Sequence, residues 1–366
     1  SQQRRDKMSK KDNSASDLEL SLRFLERARM NEAAKEIEKK GIIVKGFYHT
    51  STWQTHWSDV ITEQLRIMDG VRYKNKDSLN SMTSRVWSSI LSISKEVHMT
   101  VAGSDQNYQD VKALVKNLGL VHESRIHLVN NHTMQRSKYM HANDIEKKVL
   151  REQANRDNLS EGEYATMIAM HQYCKAQVNS KQKTFIYYLH NKGGCCSKDT
   201  PSPVKDWREE MNTFHIEFPS NCARALLAGY QTCGVEYQIA HYSGNYFWAD
   251  CDHVAALPGL WDPINNAYAC EYFIFNTSLH HRHREQYAEQ CGYNMFHCHI
   301  NHYAEKCPRE KYLPVILKLL ASEELLPTST APPGRNVQWA TDHCHKAHSS
   351  PYLDMPNWKK TNFVWA

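Results

Sequence analysis

The sequence predicts an α/β protein in which a mostly parallel sheet carries helices on both faces. Apolar segments of strand length alternate with amphipathic helical segments between residues 42 and 248. Such an alternation is typical of parallel strands joined by crossover helices. Hydrophobic residues make up 41% of the 366 residues, which is enough for one large core or two small ones.

The chain begins with a charged arm, residues 1–41. Residues 1–16 are almost entirely polar, a composition that cannot offset the entropy of ordering and so predicts a flexible segment. An apolar stripe from Asp17 to Lys40 predicts a helix, which Gly41 is suited to end. The arm could be a stem or could pack on the body, and a solvated helix without a chemical role is the favoured interpretation.

The α/β body is predicted to span residues 42–327, followed by a Pro-rich linker and tail at 328–366. Its elements follow from apolar periodicity, from glycines that end helices and from turn residues. The predicted strands lie at 42–49, 97–103, 126–129, 184–189 and 237–248, and the predicted helices lie at 55–69, 108–118, 163–178, 204–214 and 222–234. The last third of the chain is a Cys/His-rich extension.

Small and polar residues mark two places in the predicted sheet. The buried strand at 184–189 ends in His190-Asn191-Lys192-Gly193, and a later aromatic segment contains Ser243-Gly244-Asn245. Ligands of open α/β sheets bind at the carboxyl ends of the strands, and glycine lets a backbone approach a ligand closely. The two segments therefore predict two walls of one pocket, although two ordinary turns would give the same pattern.

Charge and hydropathy exclude two classes of protein. The formal net charge is +5 and the basic residues are scattered, which suits an anionic ligand but does not indicate a nucleic-acid surface. No apolar segment approaches the roughly 20 residues that cross a bilayer. The sequence therefore predicts neither a nucleic-acid partner nor a transmembrane segment.

The cysteines and the glycosylation sequences bear on the compartment. All 11 cysteines lie at or beyond Cys174, and an odd number would leave at least one thiol free under oxidising conditions. Asn131, Asn158 and Asn276 each begin an Asn-x-Ser/Thr acceptor sequence. Together these features favour a disulfide-bonded glycoprotein of the secretory-pathway lumen, with a reduced cytoplasmic protein as the alternative.

Several ordered motifs resemble those of a known family. They are the segments 188–193 (YLHNKG), 207–211 (WREEM), 241–249 (HYSGNYFWA) and 271–274 (EYFI). In this order they resemble a family of glycosyltransferase-like proteins of bacteria and algae with the pattern YLHTKG…WR..M…HFSGNFWWA, and they are distantly similar to rhamnan-synthesis F-like proteins. The resemblance covers about residues 42–275, and Asn191 departs from the Thr or Ser that is usual there.

This resemblance implies a Rossmann-like domain of the GT-A type. The implied function is transfer of a sugar from a nucleotide-sugar donor to a glycan or glycoprotein acceptor in a Golgi-like lumen. GT-A enzymes commonly bind Mn²⁺ or Mg²⁺ through an Asp-x-Asp motif, and Asp250-Cys251-Asp252 has that form. The same two aspartates could instead cap the following helix, which is the favoured interpretation.

Four residues are candidates for binding the donor diphosphate. Lys192 and the backbone N–H of Gly193 can bind phosphate oxygens directly after a strand. His190 can add a further donor, and Arg208 offers a planar fork suited to phosphate. A solvated loop lysine and a structural arginine ion pair are the alternatives.

The remaining candidates would bind the sugar or perform the reaction. Ser243, Gly244 and Asn245 are expected near sugar or acceptor hydroxyls, and Trp248 near a sugar face, although strand aromatics more often belong to the core. An inverting transfer needs a carboxylate that removes the acceptor proton. Glu271 is the candidate base, because a carboxylate that opens an apolar segment is partly desolvated. Asp252 is the second catalytic candidate, and a structural ion pair is the alternative for Glu271.

Two other functions stay open. One is a non-catalytic carbohydrate-binding or assembly protein on a transferase-derived fold, which the lack of a clear Asp-x-Asp motif favours. The other is a zinc-binding interaction protein built on the Cys/His-rich extension, where Cys298 and His302 lie one helical turn apart. The extension contains no Cys-x-x-Cys sequence, so disulfides and surface histidines are the favoured interpretation there.

Overall fold

The computed structural model describes residues 2–52, 56–70, 89–132, 163–191, 202–238, 241–258, 269–275, 291–298 and 300–323. Side chains of the first helix are described from Leu18 onward. Several predictions fall outside the described residues: those for Lys192, Gly193, the acceptor asparagines Asn158 and Asn276, and the segment 328–366.

Most of the strands join one mixed sheet. The described strands are β1 (Ile43–Ser51), β2 (Glu96–Gly103), β3 (Ile126–His132), β4 (Thr184–His190), β5 (Thr232–Gly234), β6 (Tyr237–Gln238), β7 (His241–Tyr242), β8 (Phe247–Asp250) and β9 (Gly292–Asn294). The sheet has seven strands in the order β3-β2-β1-β4-β8-β5-β9, and β6 and β7 form a separate pair. Only β8 runs antiparallel to its neighbours within the sheet. The predicted α/β class with a mostly parallel, Rossmann-like sheet is confirmed.

Helices cover both faces of the sheet, as predicted. They are α1 (Gln2–Lys39), α2 (Trp57–Met68), α3 (Ile90–Ile93), α4 (Asp105–Asn117), α5 (Tyr164–Asn179), α6 (Ser202–Asn212), α7 (Ser220–Leu227), α8 (Cys251–Ala256), α9 (Ala269–Tyr272) and α10 (Arg309–Ala321). Along β4, Tyr187 and Leu189 enter a core shared with α1, α2, α4, α6, α7 and α10. Ile186 and Tyr188 enter a second core, shared with α5, α8 and α9. The alternation of side chains along a strand thus divides the core into two layers.

The segment 222–234, predicted as one helix, forms α7 and then β5. The helix stops before Gly229, whose φ of 97° is typical of residues that end helices. Thr232 and Cys233 then pair with β8. The pairing with a distant strand overrides the local helical pattern, and the disulfide Cys222–Cys233 holds the two elements together.

Helix α1 is longer than predicted and packs on the body. It begins at Gln2 rather than Asp17, because no glycine or proline interrupts it. Its apolar stripe, including Met30, is buried in the core. The Glu26 carboxylate accepts a hydrogen bond of 3.0 Å from the backbone N–H of Ser220 at the start of α7. The arm is therefore part of the core layer and is not a solvated helix.

Three disulfides lie within the described residues: Cys174–Cys251, Cys222–Cys233 and Cys298–Cys307. Cys270 keeps a free, buried thiol. Disulfides persist in oxidising compartments and are rare in the cytosol, so the structure indicates an oxidising, secretory environment. None of the described helices combines the length and the apolar character that a bilayer crossing needs.

We expect the disulfide between α5 and α8 to contribute more stability than the one between α7 and β5. The first closes a separation of 77 residues and the second a separation of 11. A cross-link restricts the unfolded chain more when its loop is longer, so Cys174→Ala/Cys251→Ala should lose about 4 kcal/mol and Cys222→Ala/Cys233→Ala about 3 kcal/mol. Guanidinium unfolding of both variants measures the difference, and the reverse order would contradict the assigned pairing.

Candidate functional site

The carboxyl ends of β1 and β4 meet at a topological switch point. From β1 the sheet extends through β2 to β3 on one side, whereas β4 lies on the other side of β1. Ligands of open α/β sheets bind in the crevice that such a reversal creates. The register places His49 of β1 beside His190 of β4, so two histidines lie at this point.

The antiparallel strand β8 brings the second polar segment to the same edge. Phe247 at the start of β8 pairs with Tyr188 near the end of β4, so the residues that precede β8 lie beside His190. His190 Nε2 lies 2.8 Å from the backbone oxygen of Gly244. The predicted proximity of the two polar segments is confirmed.

Backbone conformation shapes the turn that meets His190. Gly244 has a φ of 87° and Asn245 a φ of 59°, a left-handed region that glycine and asparagine tolerate best. A Cβ at Gly244 would lie 2.2 Å from Met211 Sδ and 3.2 Å from the Trp207 ring. Only glycine therefore fits between His190 and α6 without displacing a neighbour.

A carboxylate without a predicted role lies at the centre of this edge. Glu163 immediately precedes α5, and its Oε2 accepts hydrogen bonds from the Tyr188 hydroxyl at 2.8 Å and from Asn245 Nδ2 at 2.7 Å. Its Oε1 lies 3.4 Å from His190 Nδ1. About a quarter of the side chain is exposed (23%), so Glu163 lies at the border between the core and the surface of this edge.

Charges balance one another within this group. Burial tends to raise the pKa of Glu163, but His190, His49 and the two hydrogen bonds outweigh burial and hold the pKa below its usual value. Burial lowers the pKa of His49 to about 4, so His49 is neutral at pH 7 and contacts Thr166 Oγ1 at 3.2 Å. Both ring nitrogens of His190 face oxygen atoms, the Gly244 carbonyl oxygen and Glu163 Oε1. Glu163 and His190 therefore lie within salt-bridge distance and form an ion pair when the imidazole is protonated.

Gln64 of α2 fixes the position of His190 from the core side. The Gln64 side chain is fully buried, and its Nε2 lies 3.1 Å from the His190 backbone oxygen and 2.6 Å from the Tyr246 hydroxyl. Its Oε1 accepts a hydrogen bond of 2.6 Å from the Tyr48 hydroxyl. One amide thus joins α2, β1, β4 and the segment that leads into β8.

Two further residues of the predicted donor side make protein contacts at the same edge. Asn191 Nδ2 donates to the Ser51 backbone oxygen at 2.8 Å, and Asn191 Oδ1 accepts from the Ser51 N–H at 2.9 Å. Arg208 on α6 is buried and lies 3.4 Å from Glu63 Oε2 on α2. Arg208 therefore makes the structural ion pair that was the alternative to phosphate binding.

The aspartates of the Asp-x-Asp sequence lie at the opposite edge of the sheet. Because β8 is antiparallel to β4, its last residue, Asp250, pairs with Phe185 near the start of β4. Asp250 accepts a hydrogen bond of 3.1 Å from the backbone N–H of Asp252 and caps α8. Lys183 Nζ contacts both carboxylates, at 2.6 Å in the case of Asp252. An ammonium group thus holds the position a metal would need, and the pair fits helix capping rather than Mn²⁺ or Mg²⁺ binding.

Trp248 was expected to stack on a sugar, and this expectation is wrong because the side chain is buried. Its side chain is 0% exposed, and Nε1–H donates to the backbone oxygen of His215 at 3.3 Å. Trp248 belongs to the core layer opposite Phe247, because neighbouring side chains on a strand point to opposite faces. The indole is therefore a core group.

Glu271 lies on α9 and is partly buried. The adjacent Cys270 thiol has its pKa raised by burial and then by the charges of Glu163 and Glu271. Helix α9 also contacts β7, which directly precedes Ser243. Glu271 is thus a second carboxylate on an element beside the turn.

Residues without a predicted role carried only weak signals in the sequence. His49 ends an apolar strand in the same way as His190, and Glu163 opens a helical pattern. Neither local pattern determines the order of the strands in the sheet. Both residues lie beside His190 because of that order, so the arrangement could not be predicted from either segment.

Comparison with known proteins gives a family but no activity. Residues 101–291 match the family model described as "Domain of unknown function (DUF8361)", which is more than half of the chain, and the chain belongs to this family. The matched segment includes Glu163, His190 and Asn245, whereas His49 precedes it. No curated protein and no solved structure matches the chain.

Replacing Gly244 by alanine should destabilise the protein by about 3 kcal/mol. The new methyl group would clash with Met211, and the alanine would have to adopt a left-handed backbone conformation. Gly119 is a matched control, since its φ is 60° and no atom lies within 4 Å of an added Cβ. Gly119→Ala should cost only about 1 kcal/mol. Urea unfolding with the disulfides intact compares the variants, and equal costs would contradict the close packing of the turn.

Acid should destabilise the folded state through His49. Its pKa is about 4 in the folded state and 6.5 ordinarily, so only the unfolded chain gains a proton as the pH falls from 6.5 towards 4. The linked loss of unfolding free energy is about 2 kcal/mol between pH 6.5 and 5. We expect His49→Asn to remove this part of the pH dependence in urea unfolding. His127→Asn, at a more exposed histidine, should leave it unchanged, and an unaltered profile in His49→Asn would refute the assignment.

Proposed function

We propose that the chain is a glycosyltransferase that transfers a sugar from a nucleotide-sugar donor to a glycan or glycoprotein acceptor. The observation that carries the proposal is the contact of the Glu163 carboxylate with the His190 imidazole, 3.4 Å apart, at the switch point of the sheet. The resemblance of the motifs around His190 and Gly244 to glycosyltransferase-like proteins supports the same conclusion. Three disulfides support a place in the secretory pathway, with a Golgi-like lumen as the specific proposal.

The chemistry of sugar transfer suits an ionised carboxylate at this place. In an inverting transfer, the acceptor hydroxyl oxygen forms a bond to the anomeric carbon while the bond from that carbon to the diphosphate oxygen breaks. The hydroxyl proton passes to a carboxylate, and the nucleoside diphosphate leaves with the bonding electrons. Glu163 is held below its usual pKa, so it is ionised and able to accept that proton at pH 7.

The positive charge at the site would act on the leaving group. His190 lies at the end of β4, and Lys192 and Gly193 follow Asn191 directly in the sequence. An imidazolium near the diphosphate stabilises the negative charge that develops as the bond breaks. Gln64 binds the backbone oxygen of His190 and the Gly244 carbonyl oxygen contacts its imidazole, so both hold His190 in place before any ligand binds.

An unsatisfied acceptor supports recognition of hydroxyl groups. The Asn245 side chain is 2% exposed, and its Oδ1 has no hydrogen-bond donor among the described residues. A buried amide oxygen without a donor costs free energy. A sugar or acceptor hydroxyl that donates a hydrogen bond to Asn245 Oδ1 would satisfy this oxygen, while Nδ2 keeps its hydrogen bond to Glu163.

A second candidate function is a non-catalytic carbohydrate-binding or assembly protein on the same fold. The observation that favours it is the contact of Lys183 with both Asp250 and Asp252. That contact leaves the Asp-x-Asp sequence without the metal role it has in GT-A enzymes. A binding protein would use the Asn245 region without needing a proton acceptor or a leaving group.

The experiment that tests the proposal combines binding and turnover on one protein. Thermal stability is measured with a panel of nucleoside diphosphates, with and without Mn²⁺, and diphosphate release is measured with the matching nucleotide sugars. A donor nucleotide at a hundred times its Kd should add about 2.7 kcal/mol of stability. No stability shift and no release across the panel, in a folded sample, would favour the binding or assembly role.

We expect Glu163→Gln to lower kcat at least about 100-fold, because the amide cannot accept the acceptor proton. The thermal shift with the donor nucleotide should persist, since the carboxylate acts on the acceptor. Glu271→Gln is the matched variant at the other nearby carboxylate and should keep most of the activity. Loss of activity in Glu271→Gln alone would move the catalytic base to Glu271.

A further inference from the structure

Two glutamates and a histidine meet behind the turn that contacts His190. Glu210 lies on α6, Glu236 lies between β5 and β6, and His302 lies in the segment before α10. The side chains are 0%, 0% and 3% exposed, respectively. One ligand atom from each residue lies within 4.8 Å of the others.

Among the described residues, the two carboxylates are buried without a lysine or arginine partner, and imidazoles face only Glu236. Neither oxygen of Glu210 has a hydrogen-bond donor among the described residues. No described lysine or arginine pairs with Glu210 or Glu236, and His302 Nε2 and His297 Nδ1 each lie 3.2 Å from Glu236 Oε2. Burying a carboxylate without a cation or donors is strongly unfavourable. The site therefore requires an added positive charge, either a proton or a metal ion.

Several contacts hold the three side chains in this arrangement. Glu236 has a φ of 53°, a left-handed conformation that is costly for glutamate and that the surrounding structure must enforce. The backbone N–H of Cys298 donates to Glu236 Oε1, and the disulfide Cys298–Cys307 brackets His302. The Trp207 ring stacks on His302, with centroids 5.0 Å apart and 14° between the planes. The group is thus preorganised by the backbone, a disulfide and an aromatic ring.

We propose that Glu210, Glu236 and His302 bind a divalent transition-metal ion of the zinc class. The distance of 3.2 Å between His302 Nε2 and Glu236 Oε2 is that of two ligands about 2.1 Å from one ion, at an angle of about 100°. Two carboxylates and a dication sum to zero charge, which removes the cost of burial. The imidazole favours zinc over calcium or magnesium, which prefer oxygen ligands alone.

This position differs from the predicted zinc ligands. Zinc binding by Cys298 and His302 was the less favoured alternative for this segment, and a disulfide was the favoured one. The Cys298 sulfur is bonded to Cys307, so Cys298 is not a ligand. The ion would instead tie α6 to the segment after β5 and to the disulfide-bonded loop. Ser243 N–H donates to the Glu236 backbone oxygen at 2.9 Å, so the ion would support the turn beside His190 from the side away from the ligand. Its role is positioning, and it goes beyond the proposed transfer activity.

A shared proton is the competing way to neutralise the pair. Burial and the charge of Glu236 raise the pKa of Glu210, the direction expected of a carboxyl group that shares a proton with its neighbour. Proton sharing predicts no metal uptake. It also predicts that an amide at position 210 can replace the protonated carboxyl without loss.

The test uses the full chain, stripped with a chelator, and measures Zn²⁺ binding by titration calorimetry, bound zinc by mass spectrometry, and Tm. We expect one equivalent of zinc at this site and a Tm increase of about 5 °C at a hundredfold excess over Kd. Calcium should give no increase. These readouts do not involve sugar transfer, so failure of this inference and failure of the proposed function are distinguishable.

Glu210→Gln decides between the two interpretations, since the amide can donate to Glu236 and the variant should fold. We expect it to bind zinc at least tenfold more weakly than the parent protein. Glu209→Gln is the matched control on the same helix, because Glu209 pairs with Arg309 at 3.2 Å and should not alter zinc binding. Unchanged zinc binding in Glu210→Gln, or no binding by the parent protein, would overturn the proposal, and the second result would favour the shared proton.

Discussion

The direction of one short strand determines which residues share the candidate site. β8 is antiparallel to β4, so the start of β8 lies at the carboxyl edge and its end lies at the opposite edge. Ser243, Gly244 and Asn245 precede β8 and therefore lie at the carboxyl edge, where Gly244 contacts His190 and Asn245 contacts Glu163. By the same geometry, Asp250 at the end of β8 lies at the opposite edge, beside Lys183. A parallel β8 would have reversed both placements, so the chemistry of the edge depends on this pairing.

Local sequence patterns predicted most of the elements and could not predict this direction. Apolar periodicity located β1, β2 and β4 to within a few residues, because a buried strand or helix face must be apolar along its length. The segment 222–234 shows the limit of that reasoning. Its apolar side chains suit a helix and a central strand equally, and pairing with β8 decides where one ends and the other begins. Glu163 was missed for a related reason, since its partners come from β4 and from the turn before β8.

Several buried polar groups at the switch point bind one another, whereas Asn245 Oδ1 has no donor among the described residues. Glu163 accepts two hydrogen bonds and faces the His190 imidazole, and Gln64 binds the backbone of that same histidine. Such a network holds its members in one geometry, because moving any of them leaves another buried group without a partner. The site is therefore rigid on the protein side before a ligand arrives. Rigid placement of charge is what electrostatic stabilisation of a leaving group requires.

The two carboxylate sites on either side of Gly244 differ in how their negative charge is neutralised. Glu163 is neutralised within the protein, by His190 and by two donors. Glu210 and Glu236 have imidazoles at only one of the two carboxylates and need a charge from outside. The turn connects the two sites. The Gly244 carbonyl oxygen contacts the His190 imidazole, and the Ser243 N–H donates to the Glu236 backbone oxygen. Any change in how the Glu210–Glu236 pair is neutralised would therefore act on the turn that contacts the His190 imidazole.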